Sequence, residues 1–188
     1  MSKTIISLGE IVWDIFPNER KLGGAPLNFA YYAGQNGAHS YIVSALGKDE
    51  LAEQTMELVK KTGVDYSHIQ RNDFPTGQVL VSLSGEGIPQ YNIKEDSSWD
   101  YMTCTEEVLE LASRADAICW GALAQRNECT RESIFKIYSI YIITRISVCV
   151  RTVKVSSFNY SISTICFKCR KIKFCQLTFC QRTFPEVR

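Results

Sequence analysis

Four residues near the N-terminus have types and a spacing that suit the binding of a polyhydroxyl compound. Asp14 follows an apolar run, and Gly23, Gly24 and Asn28 lie in the segment KLGGAPLNFAYYAGQNGA, residues 21–38. A carboxylate accepts hydrogen bonds from two neighbouring hydroxyl groups, and an asparagine amide both donates and accepts. Adjacent glycines let the backbone approach a ligand closely. The pattern therefore predicts a polyol site, with the alternative that Asn28 caps a turn and Asp14 is a surface acid.

The elements that must position these residues alternate between strands and helices. The run from Thr4 to Phe16, broken by Gly9, predicts β-structure, and Pro26 and Gly37 predict the ends of the following helix. The alternation continues with a strand in HSYIVSALG, helices in DELAEQTMELVKKTG and TEEVLELASRA, and a strand in DAICWGAL. Strands separated by helices of this length predict an α/β fold, with a largely parallel sheet and helices on both faces.

A hairpin interrupts this alternation. The segment TGQVLVSLSGEGIPQYNI alternates apolar and polar residues and turns through Gly85 and Gly87, so we expect it to stand off the main sheet. Ligands of open α/β sheets bind beyond the carboxyl ends of the strands. Three segments are predicted to lie at such ends: 9–14, 47–49 and 121–127.

Charge and composition divide the chain near residue 140. Residues 1–140 carry 19 of the 20 acidic and 12 of the 21 basic residues, a net charge of −7, whereas residues 141–188 have a net charge of +8. No glycine follows Gly121, and the last 48 residues contain neither Ala nor Asp. Because folded segments normally use glycine in left-handed turns, we expect poor order beyond this point. No apolar run is long enough for a membrane span, and the start does not resemble a signal peptide, so a cytoplasmic location is expected.

Several segments in order resemble the N-terminal half of a ribokinase-like (PfkB) carbohydrate kinase, and the fructokinase branch is the most similar. They are GEIVWDIFP, KLGGAPLNFAYYAGQNGA, VSALGKDELAEQ, TGQVLVSLSGEGIPQYNI and WGALAQRNECTRESI, and they fall within about residues 5–135. The most specific of them is the Gly-Gly-x-x-x-Asn pattern of the second segment. The resemblance implies a three-layer α/β/α sheet over residues 1–138, with a β-hairpin lid at about residues 76–94.

The resemblance also implies an activity and a set of site residues. Members of the family transfer the γ-phosphoryl group of ATP to a sugar hydroxymethyl group with the help of Mg²⁺, and fructose is the sugar expected here. The lid would close over the sugar and form a homodimer contact. Arg126 and Asn127 would lie near the sugar or the incoming phosphate, with a solvated arginine as the alternative for Arg126. The implied substrate-binding residues are Asp14, Gly23, Gly24, Asn28, Arg126 and Asn127.

The same resemblance assigns the catalytic groups to a second half of the fold. That half carries an Asn/Glu motif for the Mg²⁺-bound phosphate and a Gly-Ala-Gly-Asp motif, whose Asp removes the proton of the sugar hydroxyl group. Because no glycine follows Gly121, we expect this chain to hold no catalytic residue and to be incomplete for ATP and Mg²⁺. Two hypotheses follow: a fructokinase-like carbohydrate kinase by ancestry that is catalytically incomplete, or a non-catalytic sugar-binding or dimerising fragment.

Residues 139–188 are interpreted as an aberrant tail, produced by a frameshift or by a fusion to non-coding sequence. Two alternatives are weaker. Cys166, Cys169, Cys175 and Cys180 could supply four zinc thiolates, but their spacing is cramped and lacks turn glycines. The segment CFKCRKIKF could bind nucleic acid, but nothing in the pattern predicts a fold to present it. We therefore expect no bound metal, no nucleic-acid partner and no membrane contact in this region.

Overall fold

The part of the chain that the structure describes, residues 2–83, 85 and 88–144 of this computed structural model, contains eight strands and four α-helices. The strands are β1 (Thr4–Leu8), β2 (Val12–Ile15), β3 (Arg20–Gly23), β4 (His39–Leu46), β5 (Ile69–Arg71), β6 (Gly77–Leu83), β7 (Pro89–Ile93) and β8 (Ala117–Trp120). The helices are α1 (Ala25–Gln35), α2 (Glu50–Lys60), α3 (Glu106–Arg114) and α4 (Glu128–Thr144), with short 3₁₀ helices at Ser98–Tyr101 and Leu123–Gln125.

The main sheet is parallel and has the strand order β5-β4-β1-β8. In its register, Leu8 at the end of β1 lies opposite Val43 of β4 and Trp120 of β8. Parallel strands bring their carboxyl ends to one edge, so the segments that follow β1, β4 and β8 meet there. The sequence-based prediction of a parallel α/β sheet is confirmed.

Each face of this sheet is covered by a pair of helices. Side chains at alternate positions of a strand point to opposite faces, and both faces of this sheet are apolar. Ile6 and Leu8 of β1 pack in one cluster with residues of α3 and α4, such as Leu111 and Ile134. A second cluster joins β4 to α1 and α2 on the opposite face; its buried members include Ile42, Leu46, Leu27, Ala30, Ala52 and Val59. The expected three layers are therefore present.

A second sheet has the order β3-β2-β6-β7 and includes the predicted hairpin. Strand β6 pairs in parallel with β2 and antiparallel with β7, and β2 pairs antiparallel with β3. The hairpin is therefore part of a four-stranded sheet rather than a separate pair of strands. Strand β3 was not predicted, because it has four residues and two of them are charged, Arg20 and Lys21.

The predicted helix boundaries follow from local capping. The Asp49 side chain accepts a hydrogen bond from the backbone N–H of Ala52 at the start of α2. The Thr105 hydroxyl oxygen likewise accepts from Val108 at the start of α3. Such caps satisfy donors that have no partner inside the helix. The helices begin where these side chains are found.

Helix α4 continues past the predicted boundary at residue 138 and is helical to Thr144. Residues 145–188 are outside the described part, and so are the zinc and nucleic-acid hypotheses made for them. Within residues 2–83, 85 and 88–144, no helix combines the length and the apolar character that crossing a membrane requires.

Candidate functional site

The predicted site begins with a carboxylate and a glycine on one face of the second sheet. Val12 of β2 pairs with Gly23 of β3, and Asp14 lies two residues further along β2, so all three share a face. A Cβ atom at residue 23 would lie 3.4 Å from Oδ2 of Asp14. The absence of a side chain at Gly23 therefore leaves open space beside the Asp14 carboxylate.

The next residue, Gly24, turns the chain into α1. Its φ of +113° is unfavourable for residues with a side chain, and a Cβ atom there would collide with the backbone carbonyl of Glu10. The Gly-Gly pair thus combines a conformation that requires glycine with a close backbone approach. The sequence predicted a glycine turn at this place, and its close approach to a ligand stays a prediction.

The N-terminus of α1 differs from the other described helix starts. Gly24 provides no capping side chain, and the first turn of α1 contains no acidic residue. The starts of α2, α3 and α4 each have a side-chain acceptor followed by a glutamate: Asp49 and Glu50, Thr105 and Glu106, Asn127 and Glu128. A helix N-terminus has partial positive charge. Of the four described α-helix starts, only the start of α1 leaves this charge without an acidic side chain, so it suits an electron-rich ligand.

Asn28 is in the first turns of α1, where its backbone N–H donates to the carbonyl of Gly24 over 3.0 Å. It is half-buried, whereas Leu27 and Ala30 are fully buried in the core. The helix therefore buries its apolar residues on one side and keeps the amide near the Gly-Gly turn. This placement is compatible with the predicted contact between Asn28 and a ligand hydroxyl.

The Asp14 carboxylate is partly withdrawn from water. It is half-buried, and this desolvation raises its pKa above the ordinary value of 3.8. Its neighbours in the register are Lys21 on β3 and Val79 on β6. A partly desolvated carboxylate beside a glycine, which has no side chain, can accept hydrogen bonds from ligand hydroxyl groups with little competition from solvent.

Arg126 is engaged in contacts within the protein. Its Nε and Nη2 atoms donate to the two carboxylate oxygens of Asp100 over 2.7 and 2.5 Å, and Nη2 also donates to the carbonyl of Lys94 over 2.6 Å. The guanidinium group lies over the ring of Trp99, 4.1 Å from the ring centroid. The solvated-arginine alternative therefore does not describe Arg126, since its side chain is 17% exposed and paired.

Asn127 occupies the position before α4. Its Oδ1 atom accepts from the backbone N–H of Cys129 over 2.9 Å, and its carbonyl accepts from Arg131 over 3.0 Å. These contacts make Asn127 the cap of α4. Arg126 and Asn127 are thus held by Asp100 and by α4, and their predicted role near the sugar or the phosphate stays a prediction.

Glu10 is the residue of this region that the sequence reasoning missed. It is 4% exposed, and burial raises its pKa from 4.5 to about 7, against the opposing effects of hydrogen bonds from the N–H groups of Glu10 and Ala25 and of the charge of Arg126. A Cβ atom at Gly121 would lie 3.1 Å from Oε1 and 3.2 Å from Oε2 of Glu10. The signal that was available is its position, one residue after Gly9 at the carboxyl end of β1.

The described residues contain no group of three or more His, Cys, Asp or Glu side chains arranged to hold a metal ion. Among the cysteines in this part, Cys104 and Cys129 are free thiols. What the arrangement offers chemically is the recognition of hydroxyl groups, by Asp14, by the amide of Asn28 and by the start of α1.

Comparison with known proteins identifies the family and the fold. The family described as pfkB family carbohydrate kinase matches residues 7–136. An uncharacterized sugar kinase of Pyrococcus horikoshii is 26% identical over 145 residues, which are 71% of this chain and 46% of that protein. Fructokinase-2 of Oryza sativa subsp. japonica is 24% identical over 143 residues, 69% of this chain and 43% of that protein. The chain therefore spans about half the length of these relatives.

Solved structures show the same fold. The crystal structure of the P. horikoshii sugar kinase in complex with ATP has a TM-score of 0.63 at 26% identity and matches 72% of this chain and 48% of that one. The fructokinase of Halothermothrix orenii has a TM-score of 0.67 at 19% identity, over 75% of this chain and 54% of that one. The ribokinase-like architecture inferred from the sequence is confirmed by these matches.

Proposed function

Because the chain belongs to the pfkB family of carbohydrate kinases, we propose that it provides the sugar-binding part of an enzyme that transfers a phosphoryl group from ATP to a sugar hydroxyl group. The observation that carries this proposal is the juxtaposition of Asp14 and Gly23, which leaves space beside a partly desolvated carboxylate. The adjacent α1 start, free of acidic residues, extends the same surface.

Within this site the residues have separate tasks. Asp14 accepts hydrogen bonds from two neighbouring sugar hydroxyl groups, each contributing roughly 1.5–3 kcal/mol because the acceptor is charged. Gly23 and Gly24 allow the sugar ring to approach the backbone, and the Asn28 amide binds a further hydroxyl group. Fructose is the proposed sugar, supported by the rice fructokinase among the relatives.

The second sheet is proposed to act as the lid. Tyr91 and Ile93 share the face of Asp14 in the strand register, and Tyr91 is 48% exposed, so this end of the face would cover a bound sugar. On the same face, Val12, Val79 and Val81 pack against Trp99. On the opposite face, Leu80 is 36% exposed. An apolar group exposed on a sheet suits a contact with a second copy of the chain, which supports a homodimer through the lid.

ATP with Mg²⁺ is the proposed phosphoryl donor of the whole enzyme. The starts of α2, α3 and α4 do not fit a triphosphate, because each begins with a side-chain acceptor and a glutamate that would repel it. The start of α1, which has no acidic residue, is the one assigned to the sugar. This observation favours the second hypothesis, a chain that binds sugar and does not turn it over.

Two measurements on the full 188-residue chain test the proposal. Calorimetric titration with D-fructose should show binding that Asp14→Ala weakens more than Arg126→Ala does, since Arg126 is engaged by Asp100. Asp73→Ala is the matched control, because Asp73 is an exposed aspartate paired with Lys48 away from Asp14. Fructose binding that is equally affected by the Asp14 and Asp73 substitutions would contradict the assignment of the site.

A coupled assay of ADP formation with ATP and D-fructose separates the two hypotheses. We expect a rate below that of ordinary sugar kinases by at least the roughly 10²–10⁴-fold that a general base contributes. Saturable turnover of both substrates would show that the 188 residues supply a phosphate site and a base.

A further inference from the structure

Glu10 has a set of contacts that neither sugar recognition nor the fold as described requires. It lies directly after Gly9, at the end of β1, and is 4% exposed. Glutamate side chains are rarely buried to this degree unless they are paired. Its Oε2 atom has no hydrogen-bond partner in the described structure, although the residue is deep in the protein. A carboxyl group that is buried while one of its oxygens has no hydrogen-bond partner lowers stability and is typical of functional sites.

The contacts of Glu10 reach two segments, the start of α1 beside the proposed sugar site and the loop that begins at Gly121. On one side, its carboxyl group accepts a hydrogen bond from the N–H of Ala25, the first residue of α1, and its backbone carbonyl is in close approach to Gly24. On the other side, both carboxyl oxygens face Gly121, where a Cβ atom would lie 3.1 and 3.2 Å away. A side chain at residue 121 would therefore require this carboxyl group to shift by a few tenths of an ångström.

From these contacts we propose, on the basis of the function proposed above, that Glu10 is a positioning residue which fixes the Gly23–Gly24 turn relative to the loop that begins at Gly121. One carboxyl group spans the two segments, so a movement of either segment changes the environment of the other. Glu10 acts through the backbone around Gly24 and Gly121, whereas Asp14 and Asn28 contact the sugar itself.

The protonation state of Glu10 should report this coupling. Its charged neighbours are Arg126, which favours the ionised carboxylate, and Asp100, which disfavours it; the other surroundings are the backbone at Gly24, Ala25 and Gly121. Burial is the dominant effect and raises the pKa of Glu10 to about 7. An opened arrangement would hydrate the carboxyl group and return its pKa toward 4.5. By linkage, the arrangement in which both segments enclose Glu10 is favoured most below pH 4.5, and this preference is lost as the pH rises through 7.

The test compares the full chain with two substitutions and a control. Glu10→Gln keeps a neutral hydrogen-bond acceptor, Glu10→Leu removes it, and Glu57→Gln is the control, because Glu57 is exposed on α2. Amide hydrogen exchange, corrected for intrinsic rates, is followed by mass spectrometry in peptides covering 21–28, 121–127 and, as a reference, 106–114 in α3. D-fructose titrations are run on the same samples at pH 6 and pH 8.

The expected result has three parts. In the wild-type chain, exchange in 21–28 and 121–127 should rise together from pH 6 to pH 8, beyond any change in 106–114, and fructose affinity should fall roughly fivefold. Glu10→Gln should keep the pH 6 values at both pH values. Glu10→Leu should accelerate exchange in both segments and weaken fructose binding about tenfold at either pH.

Several results would overturn the proposal. One is a change in exchange confined to a single segment in Glu10→Leu, and another is a pH dependence that is the same in Glu10→Gln and in the wild type. If Glu10→Leu does not fold, the pH dependence of Glu10→Gln decides. A wild-type chain that shows the coupled exchange but binds no fructose would count against the proposed function and leave the coupling of the two segments standing.

Discussion

Among the described residues, the carboxyl groups that are shielded from solvent form two sets with opposite environments. Asp49 and Asp100 are held by several donors: Asp49 by Ala52 and Thr76, and Asp100 by Arg126 and the backbone N–H of Ser97. Although burial raises the pKa of Asp49, the bonds from Thr76 and Ala52 lower it below its ordinary value. The first set satisfies its hydrogen bonds within the fold and therefore stabilises it.

Glu10 and Asp14 form the second set, for which desolvation is the dominant influence and the pKa is raised. They lie at the edge where α1 begins without an acidic residue, whereas Asp49 caps α2. The comparison shows that carboxyl groups surrounded by hydrogen-bond donors stabilise the fold, whereas those with few hydrogen-bond donors lie at the proposed site. Substitutions in the two sets should therefore have different consequences.

The largest expected effect on stability comes from breaking the Asp100–Arg126 pair. Arg126→Ala leaves the Asp100 carboxylate, 1% exposed, without its main partner, and such a loss costs about 3–5 kcal/mol of unfolding free energy. Urea denaturation should show this loss. The double variant Arg126→Ala with Asp100→Asn should recover part of it, because no buried charge is left unpaired. If Arg126→Ala lowers the unfolding free energy by less than about 1 kcal/mol, the Asp100–Arg126 pair is instead a weak ion pair screened by solvent.

Next in size is the pH dependence that Glu10 produces. Its folded pKa of about 7 is above the unfolded value of 4.5, so the folded state binds the proton more tightly. The stabilising contribution is complete below pH 4.5 and is lost as the pH rises through 7, a difference of about 3 kcal/mol. Glu10→Gln should lack this component and gain stability relative to the wild type between pH 5 and pH 8. Unfolding curves whose difference is constant with pH would contradict the assignment.

Removing the cap of α2 should have a smaller effect. Asp49→Ala loses the hydrogen bonds to Ala52 at 2.8 Å and to the backbone N–H of Thr76 at 2.8 Å, and we expect a loss of about 2 kcal/mol in urea unfolding. Fructose binding by the folded fraction should be unchanged, because Asp49 belongs to the first set. Asp49→Asn, which keeps an acceptor, should retain most of the stability. A loss of sugar affinity in Asp49→Asn would remove the distinction between the two sets.

The sequence predicted the features that depend on neighbouring residues. Thr105 was expected to cap α3, the acidic opening of DELAEQTMELVKKTG indicated the start of α2, and the alternation of strands and helices indicated the parallel sheet. The Gly-Gly turn was predicted for the same reason. The ribokinase-like resemblance then placed these elements in one architecture, which the structural comparison supports.

The remaining features depend on contacts between residues far apart in the chain. Arg126 pairs with Asp100, 26 residues earlier, and neither residue has a local pattern that indicates the other. The burial of Glu10 follows from its packing against Gly24 and Gly121, segments that join only in the folded sheet. Strand β3 pairs with β2 although two of its four residues are charged. Tertiary packing, rather than local preference, determines these three features.

The smallest expected effect on stability, and the clearest separation of stability from function, is that of Asp14→Asn. Since desolvation raises the folded pKa of Asp14 above 3.8, the contribution of this group to stability is present at lower pH and is lost as the pH rises through the folded pKa. At pH 7 the neutral amide should therefore be neutral to slightly stabilising, within about 1 kcal/mol because the side chain is partly exposed to solvent. Fructose affinity should fall about tenfold or more, because an amide oxygen replaces a charged acceptor for two hydroxyl groups. Urea unfolding and calorimetry on the same preparation measure both quantities. If the Asp14→Asn chain loses stability and keeps its fructose affinity, Asp14 has the same role as Asp49 and Asp100, and its carboxylate stabilises the fold rather than binding the sugar.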